Sequence, residues 1–285
     1  MPEVLQIWTY PIKSCAGVAL RGGTLGPAGL PEDRSFMVVD ADGRFRTQRG
    51  DPRLATIHPL VSDDGAHLDL RAPGAGDLRV PVDRDGPRRP VDLFGAAYTG
   101  IDQGPEVAGW ISEVVGAPCR LVRVPPEHHR VTDGLIPGTA GYADSGSVHV
   151  VSTASLRELD DRIAAAGGAP VPMSRFRPNI VVDGWDEPHR EDDAPELSLG
   201  GVRLGFAKLA VRCATVLVDQ ETGRKAGPEP LRTLARYRRD DGGGVVFGAK
   251  FAVLRPGAVA VGDEILAVAP TATAGPHHEG ARPAP

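Results

Sequence analysis

Cys213 stands in the run Val211-Arg212-Cys213-Ala214-Thr215-Val216-Leu217-Val218-Asp219-Gln220-Glu221-Thr222-Gly223. The thiol follows an arginine and heads an apolar run that ends in a polar Asp-x-x-Thr-Gly turn. This pattern predicts a sulfur at the mouth of a strand, where a soft metal could reach it. Three other stretches put polar chemistry at strand ends. In Tyr10-Pro11-Ile12-Lys13-Ser14-Cys15 the proline restricts Tyr10 to extended backbone, and Lys13 and Ser14 offer an ammonium and a hydroxyl. Asp33-Arg34 precedes an apolar strand. In Arg175-Phe176-Arg177-Pro178-Asn179-Ile180-Val181-Val182, an extended chain would aim Arg177 and Asn179 the same way. Arginine's planar fork suits phosphate, and Lys13 adds a compact positive charge.

Taken singly, each residue has a plainer explanation. A lone cysteine in an apolar run commonly packs as a small hydrophobe, and an Asp-Arg neighbour pair is commonly a rim ion pair worth little. Other chemistries lack their motifs. No Walker A lysine occurs, no Gly-x-Gly-x-x-Gly opens a helix, and no Gly-x-Ser-x-Gly elbow is present. His128-His129 and His277-His278 are adjacent pairs, which project apart and chelate zinc poorly.

The elements that must position these groups are mostly strands, because 36 glycines and 27 prolines punctuate the chain. Strands are expected at Val4–Trp8, Ser35–Val39, Ala55–Ile57, His67–Leu70 and Leu78–Val82, forming a small barrel or sandwich. Asp40-Ala41-Asp42-Gly43 reads as a hairpin turn. Helices are expected over Pro105–Val115, from a capping box at Ser155–Glu158 to Gly167-Gly168, and over Glu229–Arg239. Residues 125–143 read as a loop and 187–196 as an acidic surface loop. Further strands are expected at Val202–Phe206, Ala214–Val218, Lys250–Leu254 and Glu264–Val268. The tail 270–285, rich in Ala, Pro and Gly, reads as disordered.

At 285 residues the chain can bury one large core or two moderate ones. A net charge of −5 gives no broad attraction to nucleic acid or anionic lipid. Three cysteines cannot form a disulfide framework and suit a reducing compartment. No signal-peptide pattern opens the chain, and no stretch reaches about 18 uncharged apolar residues. The expectation is a soluble cytoplasmic protein without membrane insertion or nucleic-acid partner.

The four stretches resemble, in order and rough spacing, the MOSC family of molybdenum-cofactor proteins. The similar group carries an N-terminal β-barrel domain and is typified by the mitochondrial amidoxime-reducing component and its bacterial relatives. The resemblance runs from Leu5 to Val268. It adds Thr47-Gln48-Arg49-Gly50-Asp51-Pro52-Arg53-Leu54, Pro230–Leu234, Tyr237-Arg238, Phe247-Gly248 and Val261-Gly262-Asp263 to the phrases above. It implies a β-rich mixed α/β fold. The N-terminal β domain would span 1–100 and the MOSC β-barrel, with a few peripheral helices, 105–268.

The resemblance also implies roles. Cys213 corresponds to the molybdenum ligand and sole catalytic residue. Lys13, Ser14, Arg34, Arg177 and Asn179 correspond to residues that hold the pterin and its phosphate, and Asp144 and Ser145 fall at further cofactor contacts. The implied activity is reduction of N-hydroxylated or N-oxide substrates by a molybdenum-molybdopterin cofactor. The alternatives are sulfur transfer through a Cys213 persulfide, or non-catalytic carriage of the cofactor. Two departures stand out: Ala210 where many relatives have a cysteine, and Lys250 where relatives often have an aromatic residue. Three dispersed cysteines cannot hold an iron–sulfur cluster. Electrons would therefore come from a separate flavin, haem or iron–sulfur protein.

Overall fold

The computed structural model describes residues 1–268; the predicted tail and His277-His278 lie outside them. Strands dominate, with three α-helices among the described residues. The largest sheet has eight strands, in the order Ile265–Val268, Glu196–Leu199, Val202–Val211, Val246–Arg255, Val148–Ser152, Ile180–Asp183, Glu3–Thr9 and Val18–Leu20. A four-stranded sheet joins Phe36–Val39, Arg120–Arg123, Ala96–Asp102 and Arg88–Leu93, and a three-stranded one holds His58–Val61, His67–Arg71 and Leu78–Pro81. The sheets are open: among the described residues no strand order closes into the expected barrel. No helix there is long and apolar enough to cross a membrane.

Period-two alternation decides which face each side chain takes. On the central strands of the large sheet, Val148, Val150, Ala249 and Phe251 enter the main core. His149 and Lys250, which are register partners, lie on the opposite face. Phe36–Val39 is buried on both faces. Phe36 and Val38 pack into one core with Leu54 and Ile111, whereas Met37 and Val39 pack into another with Tyr142. Val148–Ser152 and Ile180–Asp183 run parallel, joined through the Thr153–Ala165 helix.

Several expectations need correction. Ala55–Ile57 is not a strand; Pro52–Thr56 forms a 3-10 turn, which a proline at its first position favours. Ala214–Val218 is likewise not a strand. Cys213 precedes a 3-10 turn over Ala214–Leu217 that drives Val216 into the core with Phe176 and Phe247. The second helix starts one turn before the predicted box: Ser152 is its cap, accepting from the Ser155 N–H at 3.1 Å. The third helix is shorter, Leu231–Tyr237. The segment 187–196 is not simply a surface loop, because Glu191 is fully buried. Its Oε1 accepts from the Ser152 N–H at 3.1 Å and the Ser155 hydroxyl at 2.8 Å. Short apolar runs hid the Arg88–Leu93/Ala96–Asp102 hairpin and the strands Arg120–Arg123 and Val148–Ser152.

Gly248 lets two elements meet. Its φ is +74°, and a Cβ there would lie 2.7 Å from the Val150 carbonyl oxygen and 2.8 Å from His149 Nε2. Gly248→Ala is expected to destabilise the fold by about 2 kcal/mol or more, from left-handed strain plus a backbone clash. Ser152→Ala, which removes the cap and a 2.7 Å bond to the Ser155 hydroxyl, is expected to cost about 1–2 kcal/mol. Urea unfolding of both variants checks the ranking.

Candidate functional site

Three distant segments are stitched together by backbone bonds. The Arg34 N–H donates to the Tyr10 carbonyl at 2.7 Å, Phe36 to Pro11 at 3.0 Å, and Lys13 to Phe36 at 2.8 Å. The Tyr142 N–H donates to the Arg34 carbonyl at 2.7 Å. This brings Lys13-Ser14, Asp33-Arg34 and Asp144-Ser145 to one wall of a solvent-open cleft. Arg177 and Asn179 form another wall, and Arg212-Cys213 and Lys250 complete the lining. Every site residue predicted from the sequence therefore lines one cleft, although none of these segments neighbours the others in sequence.

The lining is cationic. Lys13, Arg34, Arg49, Arg177, Arg212 and Lys250 face only Asp33 and Asp144. In a chain of net charge −5, such a local excess marks the place of an anion. Lys13 is buried; its ammonium donates to the Tyr142 carbonyl at 3.0 Å and pairs with Asp144. Burial pulls the Lys13 pKa down, and Asp144 opposes that pull. Burial works against ionisation of Asp144, yet Lys13, with Lys250 and Arg34 behind it, holds the carboxyl below its usual range. Arg34 Nη1 donates to both Asp33 oxygens, at 2.8 and 2.6 Å, and to Asn179 Oδ1 at 3.2 Å. The Tyr10 ring lies 4.2 Å from the Arg34 guanidinium and 4.3 Å from that of Arg177.

Asn179 serves this wall as a strut. Its Nδ2 donates to the Trp8 carbonyl at 3.1 Å, while its Oδ1 accepts from Arg34 and from the His149 N–H. The expected extended pairing of Arg177 with Asn179 does not occur. Arg177 adopts φ +54°, following the 3-10 turn Met173–Arg175, and both residues reach the cleft by a bend instead. Ser14, Arg34 and Phe94, also on the lining, have φ of +68°, +50° and +58°. Left-handed backbone costs a non-glycine residue roughly 1–3 kcal/mol, and such strain gathers where a site demands it.

Unpartnered donors identify what the cleft lacks. Arg177 Nη2 and Arg212 Nε are buried without a hydrogen-bond partner. Burial pulls the Arg177 pKa down to about 10, which still leaves it charged at neutral pH. His149 is buried with an unpartnered Nε2; burial first, then Lys250, Arg212 and Arg34, keep its ring neutral. An oxygen-rich anion would satisfy the two arginine donors. The residues present thus fit a phosphorylated cofactor.

The three cysteines separate clearly. Cys15 and Cys119 are buried; burial pushes the Cys15 thiol up to about 12 and raises Cys119 as well. Cys213 is half-exposed on the cleft, 3.3 Å from Thr215 Oγ1. Sequence reasoning passed over His149, which lacks a distinguishing motif, and the cluster of cations around Lys250, and it gave Arg49 no site role although the Thr47–Leu54 phrase contains it. Only strand alternation opposite Val148, Val150, Ala249 and Phe251 could have found the His149–Lys250 pair.

Comparison with known proteins agrees with this geometry. Residues 1–118 match the MOSC N-terminal beta barrel domain, and residues 137–266 match the MOSC domain. The chain is 33% identical over 282 residues to mitochondrial amidoxime-reducing component 1 of Homo sapiens, covering 92% of this chain and 82% of that protein. It is 34% identical over 284 residues to mitochondrial amidoxime reducing component 2 of Rattus norvegicus, with coverage of 92% and 82%. Identity to the molybdenum cofactor sulfurase of Danio rerio is 30% over 265 residues, covering 87% of this chain but 31% of that protein. The chain belongs to the MOSC family, in the group that joins a MOSC N-terminal domain to a MOSC domain and includes the mitochondrial amidoxime-reducing components.

Proposed function

We propose that this chain is a molybdenum-cofactor-dependent reductase of N-hydroxylated and N-oxide compounds, with Cys213 as the protein ligand to the metal. The observation that carries the reading is a half-exposed thiol on a cleft lined by six cations and two carboxylates. A thiolate is a soft ligand, suited to molybdenum where hard oxygen donors are not. The amidoxime-reducing relatives support the reaction class. Bound there, the cofactor would supply the two-electron removal of oxygen from the N–O group.

The chain's residues bind, orient and shield. Lys13, Arg34 and Arg177 neutralise phosphate, and the buried Nη2 of Arg177 gains a partner. Ser14 and Ser145 add hydroxyls beside them. Asn179 acts through Arg34 by holding its guanidinium. Asp144 anchors Lys13 and keeps its ammonium on the cleft wall. His149, neutral and buried behind the lining, offers a ring nitrogen without adding charge. Electrons arrive from a separate protein, and the reaction runs in the cytoplasm.

One observation favours a second reading. The molybdenum cofactor sulfurase of Danio rerio shares this region, so Cys213 could instead carry sulfur as a persulfide. Mass spectrometry of natively purified protein separates the two: added sulfur on Cys213 without molybdenum selects sulfur transfer.

Protein from a cofactor-competent host is expected to contain about one molybdenum per chain and to reduce benzamidoxime with an artificial electron donor. Cys213→Ser is expected to bring that activity to background; a serine variant as active as the wild type removes Cys213 from the chemistry. Stoichiometric pterin with no turnover under any reductant would indicate a cofactor carrier. Arg177→Met is expected to weaken pterin retention roughly 10- to 100-fold, the weight of one charge-assisted hydrogen bond. Pterin fluorescence after gel filtration reads that loss.

A further inference from the structure

Five of the six cleft cations donate hydrogen bonds to protein groups, Lys13, Arg34 and Arg212 at normal length and Arg177 and Arg49 only at 3.4 Å. Lys13 is held by Tyr142 and Asp144, Arg34 by Asp33 and Asn179, Arg177 by Gln220, and Arg212 by the Phe176 carbonyl. Arg49 makes a long contact to Thr47. Lys250 differs: among the described residues its ammonium has neither an ion pair nor a hydrogen bond. Its stem, however, is fixed. Gly146, at φ +68°, leaves no room for a side chain, since a Cβ there would lie 2.9 Å from Lys250 Cβ and 3.4 Å from its Cγ and Cδ.

The strand carrying Lys250 pairs with the Val202–Val211 strand, two residues before Cys213. Lys250 thus stands on the strand adjacent to the one that delivers the thiol, and opposite His149 on the other side. Burial, then Arg34 and Arg212, pull its pKa well below the ordinary lysine value. Asp144 and Asp33 offset only part of that pull, and an amine with no direct ion pair gains from an anion that arrives with a ligand. Lys13 and Arg34 are each paired with a carboxylate of the cleft, whereas Lys250 is not.

We infer that Lys250 is a specificity-determining residue whose ammonium binds a carboxylate on the substrate, so that this chain prefers N-oxygenated compounds bearing an anionic group. The inference rests on the reductase reading and deepens it. A charged hydrogen bond of this kind discriminates because the neutral analogue leaves the half-buried lysine without an ion pair.

The test uses a matched pair, 4-carboxybenzamidoxime and benzamidoxime, titrated calorimetrically into the cofactor-loaded protein without an electron donor. The wild type is expected to bind the carboxylated member about tenfold more tightly or better. Lys250→Met is expected to erase most of that preference, and Lys250→Arg to keep it, with molybdenum and pterin contents matching the wild type in both variants. Equal affinities in the wild type, or a preference that survives Lys250→Met, overturn the inference. So does a fall in pterin content in Lys250→Met, which would give the lysine to the cofactor. Because the titration reads affinity without turnover, a protein that binds the pair as expected yet reduces neither compound overturns the reductase reading alone.

Discussion

Tyr10 is the contact on which the cleft depends. Two guanidiniums, Arg34 and Arg177, must stand close together although their charges repel, and the Tyr10 ring lies 4.2 and 4.3 Å from them. Each cation–π contact is worth about 0.5–2 kcal/mol, more when water is excluded. Burial pushes the Tyr10 hydroxyl up to about 12, so the ring remains neutral and donates to the Pro178 carbonyl at 3.1 Å. Its own N–H donates to Asp33 at 2.8 Å, the same carboxylate that clamps Arg34. One residue thereby fixes both cations and the acid that balances one of them.

The strain of the lining follows from the same demand. Regular strands would send alternate side chains to opposite faces, which cannot turn Ser14, Arg34 and Arg177 toward a common point. Each of them leaves the sheet through a left-handed residue. The hydrogen bonds from Asn179 to Trp8, Arg34 and His149 then lock three strands' ends against one another. The cation-lined cleft is thus assembled from bends whose cost the surrounding sheet supports.

Legibility in the sequence followed locality. The Pro105–Val115 helix was readable to the residue because its proline start, apolar face and Gly116 end all lie within one segment. The site residues were readable only through resemblance, since no periodicity joins Lys13 to Asp144, Arg177 or Cys213. Ala214–Val218 misled because β-branched residues favour strands in isolation, whereas packing of Val216 against Phe176 and Phe247 bends the chain. Glu191 was illegible for a related reason: an acidic stretch looks solvated until a helix cap is found to need a buried carboxylate. Lys250 stood out only as a departure from relatives, while its lack of an ion pair among the described residues required the three-dimensional neighbours.

The pairing of Glu3–Thr9 with Ile180–Asp183 has a consequence for synthesis on the ribosome. That strand leaves the tunnel long before its partner exists, and it waits with an open edge able to zip onto another nascent chain. The Arg177 wall cannot be completed in that interval. Shielding of that early edge therefore bears on how much of the translated protein reaches the assembled cleft.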